Sequence, residues 1–307
     1  MTLRKPQDET RTGVMYALLC YGLWGFTPLY FKAIDYVPAL EMLAHRVVWS
    51  AVFLAILLWL KGRFHEIRPL VTDFSQLRWL LVSSLLISAN WGLYIYTVMS
   101  GQILQASLGY YINPLVSVLL GMLFLKEGLR PVQWLAVLLA VGGTLNLAIS
   151  YGEVPWLALA LAFSFGFYGL VRKMAPAGPL VGLLVETLLV TPIALLYLAW
   201  LAEQGSGLFL AKDTYTDGML LAAAFVTALP LLWFTNGAKR LRLSTMGLFQ
   251  YIAPTMQFLL AVWLFKETFT VAHGVTFVLI WSALLIYTGD ILRMQARLRH
   301  APASAAK

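Results

Sequence analysis

Apolar runs of at least about 18 residues recur along the whole chain, and they constrain its fold more than any other feature. They lie at residues 13–33, 38–60, 77–98, 104–125, 131–150, 154–171, 179–201, 217–237, 243–265 and 270–290. A helix rises about 1.5 Å per residue, so runs of this length cross the roughly 30 Å hydrocarbon core of a bilayer. The sequence therefore predicts an all-α integral membrane protein with ten transmembrane helices.

Composition supports a membrane protein over the soluble classes. Hydrophobic residues make up 60% of the 307 positions and charged residues only 12%, about half of the roughly 25% found in soluble domains. The net charge of +8 comes from short basic clusters at the ends of apolar runs, not from one polar face. The predicted partner is consequently the lipid bilayer, and no nucleic-acid partner is expected.

The cysteine content and the first apolar run exclude further classes. Cys20 is the single cysteine, so a disulfide framework and a paired-cysteine metal site are excluded, and neither a metal nor a cofactor is expected. The run at 13–33 is too long for a signal-peptide core and lacks a cleavage context, so it is predicted to remain as the first helix.

The distribution of basic residues predicts the orientation. If the N-terminus is cytoplasmic, eighteen of the 22 lysines and arginines fall on the cytoplasmic side, whereas Lys32, Lys212 and Lys266 fall outside and Arg46 lies within a span. Cytoplasmic loops of membrane proteins are enriched in lysine and arginine. Both termini of this multi-pass protein are therefore predicted to be cytoplasmic.

The sequence also contains an internal repeat. Shifting the chain by 140 residues aligns 107–127 with 247–267, with shared Tyr-Ile, Pro, Leu-Leu and Lys-Glu, and a shift of 144 places YGLWG at 21–25 on FGFYG at 165–169. Copies separated by five helices enter the membrane from opposite sides, as in secondary transporters. We predict inverted five-helix repeats at 13–150 and 154–290, between tails at 1–12 and 291–307. The alternative is chance similarity between apolar segments.

Four segments resemble the EamA-type proteins of the drug/metabolite transporter superfamily. They are VPALEMLAHRVVWS at 37–50, SLGYYINPL at 107–115, AFSFGFYGLVRK at 162–173 and RLRLSTMGLFQYIAPT at 240–255. The resemblance implies a ten-helix carrier of small organic solutes, made of paired five-helix repeats in the bacterial inner membrane. Many superfamily members have glycine where this chain has Lys126 and Lys266.

Ionisable residues inside the spans are the first candidates for the solute path, because charge in a bilayer is costly and usually faces a cavity or a partner. They are Glu41, His45, Arg46 and Glu186. Glu41 and His45 are four residues apart and share a helix face. His45 is either a proton-coupling residue or a hydrogen-bonded packing residue beside an interfacial Glu41.

His45 and Glu186 occupy matching positions when Pro38 is aligned with Pro179. Each lies about 10 Å deep, but from opposite surfaces, so the two side chains are not expected to touch. We predict that they belong to the access paths of the two halves.

A set of polar and aromatic residues is predicted to line the centre of the protein. The set is Asn90, Trp91, Tyr94, Tyr110, Tyr111, Asn113, Trp233, Asn236, Gln250 and Tyr251. Rings and amides suit amphipathic organic solutes, although tyrosine and tryptophan also form interfacial belts. Pro114 and Pro254 are repeat-related prolines inside spans and are predicted hinges.

The sequence favours a carrier over an enzyme. It contains no H-E-x-x-H, no G-x-S-x-G and no Walker lysine loop, so hydrolytic chemistry and direct use of ATP are disfavoured. The prediction is a secondary transporter that works by alternating access, with proton coupling as one option. A membrane-embedded enzyme or a passive channel is the alternative.

Overall fold

The structure, a computed structural model, describes residues 6–99, 103–151, 155–264 and 270–300. These residues form twelve α-helices and one 3-10 turn, Phe64–Glu66, with no strand among them. The helices are α1 Pro6–Ala33, α2 Ala39–Leu60, α3 Ile67–Thr72, α4 Phe74–Met99, α5 Ile103–Leu125, α6 Pro131–Tyr151, α7 Trp156–Met174, α8 Pro179–Glu203, α9 Thr214–Arg240, α10 Leu243–Gln250, α11 Ile252–Trp263 and α12 Val271–His300. The all-α prediction is confirmed.

Eight helices of the described chain are long and apolar enough to cross a membrane, or nine if α3 and the start of α4 count as one bent span. Each of the ten predicted spans overlaps a helix, but two of them are not among the eight. The third lies within α4, after the 98° bend that separates α4 from α3. The ninth is divided into α10 and α11. The outer helices also extend further than predicted, since α1 begins at Pro6 and α12 ends at His300.

The division of the ninth span has a local cause. Pro254 lacks the N–H group that would bond to the carbonyl of Gln250, and α10 ends at Gln250, one turn before this proline. The repeat-related Pro114 lies inside α5, which continues unbroken from Ile103 to Leu125. The two prolines therefore have different local structures in this conformation.

The outer surface of the helix bundle is apolar. Leu85, Ile149, Leu196 and Val278 are each at least two-thirds exposed and lie on four different helices, whereas Glu41, His45, Arg172 and Glu186 are buried. A soluble protein rarely exposes so much contiguous apolar surface, but a bilayer solvates it. The chain is a multi-pass membrane protein.

Helix packing joins the two halves of the sequence. α1 packs on α9 and α11, and α7 packs on α4 and α5. α2 packs on α8 and α9, α6 packs on α12, and α10 packs on α5. Helices from the first and second halves of the chain therefore alternate around the centre.

Two loop residues have specific roles. Lys126, just after α5, has a φ of 52°, in the left-handed region that glycine adopts without strain. Asp213 caps α9 by accepting a hydrogen bond from the Thr216 N–H at 2.7 Å, and this bond lowers the pKa of the Asp213 carboxyl.

Candidate functional site

A cavity of about 1000 Å³ lies between helices from both halves of the chain. α1, α2, α4, α5, α7, α9, α10 and α11 each contribute to its wall. α1 contributes only its C-terminal part, from Trp24 to Lys32. The cavity reaches Lys32 and Asp35, which form an exposed ion pair at 3.0 Å. This end is opposite to the N-terminus of α1, and we call it the mouth.

Arg46 projects from α2 into the wall of this cavity. Its Nε donates a hydrogen bond to Thr227 Oγ1 on α9 at 2.8 Å. The carbon at the centre of its guanidinium lies 5.5 Å from the ring centroid of Phe31 and 5.7 Å from that of Trp91. These are cation–π distances, so α1, α4 and α9 together position the Arg46 side chain.

Two amides tie neighbouring helices together at the wall. Asn90 Nδ2 on α4 donates to Leu161 O and to Ser164 Oγ on α7, both at 3.0 Å. Gln257 Nε2 on α11 donates to Trp24 O on α1 at 2.9 Å. The amide groups of both residues are thus partly used in holding the wall together.

Two other amides in the wall have unused hydrogen-bonding capacity. Asn113 on α5 and Gln250 at the end of α10 are 4% and 6% exposed, and the carboxamide oxygen of each has no hydrogen-bond partner. A buried amide without a partner loses hydration that nothing replaces. Tyr94 and Tyr110, with ring centroids 6.3 Å apart, complete a mixed polar and aromatic surface.

The end of the bundle nearest the N-terminus is closed by packed side chains. Glu127 accepts hydrogen bonds from Leu243 N at 2.7 Å, Ser244 N at 2.9 Å and Ser244 Oγ at 2.7 Å. Its carboxylate thereby caps α10 and holds it against α5. Arg240 at the end of α9 forms an ion pair with Glu9 of α1 at 2.8 Å.

Glu41 and His45 lie in a separate buried pocket. Glu41 Oε1 accepts from the backbone N–H of Leu208 at 2.6 Å and lies 4.0 Å from His45 Nε2. Trp49 Nε1 donates to His45 Nδ1 at 3.2 Å, and the ring of Phe209 packs 5.0 Å from the imidazole centroid. Both residues thus connect α2 to the segment that links α8 and α9.

Glu186 on α8 forms a buried ion pair with Arg172 on α7. The distance from Arg172 Nη1 to Glu186 Oε1 is 3.4 Å. Ser83 Oγ donates to the Glu186 carboxylate, and Ser84 Oγ donates to the Glu186 backbone carbonyl at 3.1 Å. Three helices therefore meet at Glu186. Arg172 was predicted to lie in a cytoplasmic segment, and no pairing with Glu186 was predicted.

The predicted site residues divide into two groups in the structure. Those that line the cavity are Arg46, Asn90, Trp91, Tyr94, Tyr110, Asn113, Gln250 and Pro254. Those that lie away from it are Glu41, His45, Glu186, Tyr111, Pro114, Trp233, Asn236 and Tyr251. Tyr111 and Tyr251 pack in the apolar cluster beside α6 and α12, and Asn236 Oδ1 accepts from Arg240 Nη1 at 3.0 Å.

Several wall residues were not among the sequence predictions. Five residues that were not predicted as site residues line the cavity, namely Trp24, Phe31, Phe165, Thr227 and Gln257. The spacing of Trp24, Phe31 and Thr27 along one side of α1 was the available signal.

Comparison with known proteins agrees with this fold. Residues 11–149 match the EamA-like transporter family. A solved crystal structure covers 94% of this chain and 98% of its own, with a TM-score of 0.70 and 17% sequence identity, so it shows the same fold.

Curated relatives match over almost their whole length. A protein of Vibrio cholerae named as an uncharacterized transporter is 46% identical over 95% of this chain and 97% of its own. Protein RarD of Escherichia coli is 45% identical over 94% of this chain and 98% of its own. The resemblance found in the sequence is confirmed. The chain belongs to the EamA-like transporter family, in its RarD group.

Proposed function

We propose that this chain is a secondary transporter that moves a small organic metabolite or drug-like solute across the bacterial inner membrane by alternating access. The observation that carries the proposal is the cavity of about 1000 Å³ between the helices of both halves. A cavity of this size suits a metabolite or a drug-sized molecule. It reaches exposed residues at the mouth and ends at packed side chains opposite, as one end state of a carrier requires.

Helix packing supports the predicted inverted repeats. Suppose that α1, α2, α4 and α5 correspond to α7, α8, α9 and the pair α10–α11, and that α6 corresponds to α12. Exchanging the halves then converts the α1–α9 contact into α7–α4, and the α1–α11 contact into α7–α5, all of which are present. The α2–α8 and α6–α12 contacts are unchanged by the exchange, because each joins two corresponding helices. Ten crossing segments in two five-helix repeats, 13–150 and 154–290, account for this pattern.

The proposed orientation has both termini in the cytoplasm. Lysines and arginines are concentrated in the segments on the side of the N-terminus, as expected for cytoplasmic loops. The mouth, with Lys32 and Asp35, then faces outward. In this orientation the structure is the outward-open state, and the Glu127 contacts with α10 close the cytoplasmic side.

The ionisable residues and prolines fit this scheme as parts of the moving halves. His45 and Glu186 lie in buried polar clusters on α2 and α8, outside the cavity, and we assign them to the access paths of opposite halves. The break between α10 and α11 next to Pro254 is the proposed hinge of the second half. Pro114 is its counterpart in the first half, and α5 bends there in the inward-open state.

Transport by the purified protein in liposomes tests the proposal. Amino acids, nucleoside derivatives and amphenicols, each radiolabelled, are suitable solutes because all carry hydrogen-bonding groups on a compact organic framework. The proposal predicts that at least one solute shows saturable uptake that is driven by a gradient and accelerated by unlabelled solute on the opposite side. Measurement at two pH values tests proton coupling, and a His45→Ala variant tests whether His45 carries it.

The two alternatives predict different results in the same assay. A passive channel gives flux without saturation and without acceleration by solute on the opposite side. A membrane enzyme gives a chemically changed product without net transport. Either result would replace the carrier proposal.

A further inference from the structure

Arg46 is an unpaired cation in the wall of the central cavity. It lies seven residues beyond Ala39, the first residue of α2, which places it about 10 Å along the helix. The other charged residues of the described wall are Lys32 and Asp35, which neutralise each other at the mouth. The cavity therefore carries a net positive charge, and Arg46 supplies it.

The contacts of Arg46 provide no negative charge. Its guanidinium donates through Nε to the Thr227 hydroxyl and lies near two aromatic rings, all of them neutral. In the described part of the chain no carboxylate lies within 4.0 Å of it. Glu41, five residues earlier on α2, accepts a hydrogen bond from Leu208 N and lies 4.0 Å from His45 Nε2.

The two terminal nitrogens of the guanidinium are free to bind a solute. Neither Nη1 nor Nη2 of Arg46 donates a hydrogen bond to a described residue. Their four N–H groups form a planar fork, which matches the two oxygens of a carboxylate or phosphate. The Nε bond to Thr227 and the rings of Phe31 and Trp91 hold this fork in place beforehand, so little side-chain freedom is lost on binding.

An unpaired cation at this depth is costly in a bilayer and normally indicates function. Arg172 provides the internal comparison, because it is also buried and has Glu186 as a partner. The protein thus neutralises one buried arginine with its own carboxylate and leaves the other facing a cavity. A purely structural role would favour a partner for both.

We infer that Arg46 binds the anionic group of the transported solute, and that the substrates of this protein are organic oxyanions, carboxylates or phosphates. The inference rests on the proposed transport function. The buried carboxamide oxygens of Asn113 and Gln250 accept hydrogen bonds from donor groups of the same solute. The aromatic residues of the wall contact its apolar part. Organic cations are excluded by the same positive charge.

Binding of matched anionic and neutral compounds to the purified full-length protein tests this inference. N-acetyltryptophan is compared with N-acetyltryptophanamide, and adenosine monophosphate with adenosine, in thermal-shift titrations at constant ionic strength. The first pair tests a carboxylate and the second a phosphate. We expect at least one anion to stabilise the wild type with an apparent Kd about tenfold or more below that of its neutral twin, as a charge-assisted bidentate contact provides.

Three variants assign the effect to Arg46. Arg46→Gln should bind the anion and its neutral twin equally, whereas Arg46→Lys should retain part of the preference because it keeps the charge. Arg63→Gln is the matched control, since Arg63 is a half-exposed arginine paired with Glu66 outside the cavity, and it should behave as the wild type. Binding of the neutral twin by Arg46→Gln shows that its loss of anion preference is not loss of folding.

The results separate the inference from the transport proposal. Equal affinity of wild type for both members of each pair, no stabilisation by either anion, or an anion preference that persists in Arg46→Gln would overturn the inference. If Arg46→Gln still catalyses gradient-driven uptake of an anionic solute at the wild-type rate, transport stands and the assignment of Arg46 falls. Anion binding without transport of any solute would support the anion site at Arg46 and contradict the carrier function.

Discussion

Arg172 Nη1 and Glu186 Oε1 lie 3.4 Å apart, with the two side chains 0% and 2% exposed. The pair joins α7 to α8 across a four-residue connection, at the end of the bundle nearest the N-terminus. Two charges at such a site stabilise the fold only as a pair, because each alone would remain buried without hydration or a counter-charge.

Replacing Glu186 with glutamine should destabilise the protein by about 3–5 kcal/mol, the usual effect of leaving one charge of a buried pair uncompensated. The double variant Glu186→Gln/Arg172→Met should lose much less stability than the sum of the losses in the two single variants, since it removes both charges. Unfolding in detergent, followed by tryptophan fluorescence, measures the coupling. Strictly additive effects would show that the two residues do not stabilise each other.

Gly182 on α8 makes room for the Arg172 guanidinium. A Cβ at this position would lie 2.9 Å from Nη2 and 3.0 Å from Cζ of Arg172. Gly182→Ala should therefore force the arginine away from Glu186 and destabilise the protein by about 1–3 kcal/mol. Gly289→Ala on α12 is the control, because no atom lies within 4 Å of a Cβ there. It should stabilise by up to about 1 kcal/mol through helix propensity. Equal effects at the two positions would refute the contact.

The sequence predicted the positions of the helices well, because length and hydropathy are sufficient to identify a membrane-crossing segment. It did not predict α3, a six-residue helix with Pro69, because such short helices depend on tertiary packing. It did not predict the division at Tyr251 either, because a proline does not by itself require a break: the repeat-related Pro114 leaves α5 continuous. It identified Glu186 as unusual, but its partner Arg172 looked like an ordinary basic residue at the end of a span. Which polar residues share one cavity depends on how distant helices pack, and periodicity within one helix does not contain that information.

Lys126 occupies a backbone conformation that costs a residue with a side chain about 1–2 kcal/mol. Lys126→Gly should therefore stabilise the protein, by about 1 kcal/mol after the greater freedom of glycine in the unfolded chain is subtracted. Lys126→Ala is the control because it removes the same charged side chain without relieving the backbone. The midpoint of thermal unfolding should rise for the glycine variant relative to the alanine variant. An equal rise of the midpoint in both variants would show that removal of the charge, and not relief of the backbone, stabilises the protein.

Glu127 holds α10 against α5 by accepting hydrogen bonds from two backbone N–H groups, those of Leu243 and Ser244. Glu127→Gln keeps the size of the side chain but removes the charge, and hydrogen bonds to charged groups contribute about 1.5–3 kcal/mol. Hydrogen exchange in the segment 242–250 should become about tenfold faster or more, while exchange in α6 should stay unchanged. Unaltered exchange at α10 would mean that Glu127 does not hold this end of the bundle closed.

Alternating access requires that the cavity opens to one side of the membrane at a time. Cys20 is the single cysteine, so a Cys20→Ala background with Thr27→Cys places one thiol in the cavity wall. Ser206→Cys and Ser75→Cys, in exposed segments at the two ends of the bundle, serve as controls for sidedness. The reagent is a membrane-impermeant maleimide, added to right-side-out or to inverted vesicles.

Rates of labelling at position 27 from the two sides, with and without a transported solute, are the most direct measurement. Alternating access predicts labelling from both sides, and a saturating solute on one side should shift the ratio of the two rates. Labelling from one side only under every condition, or equal rates that solute does not change, would contradict the account.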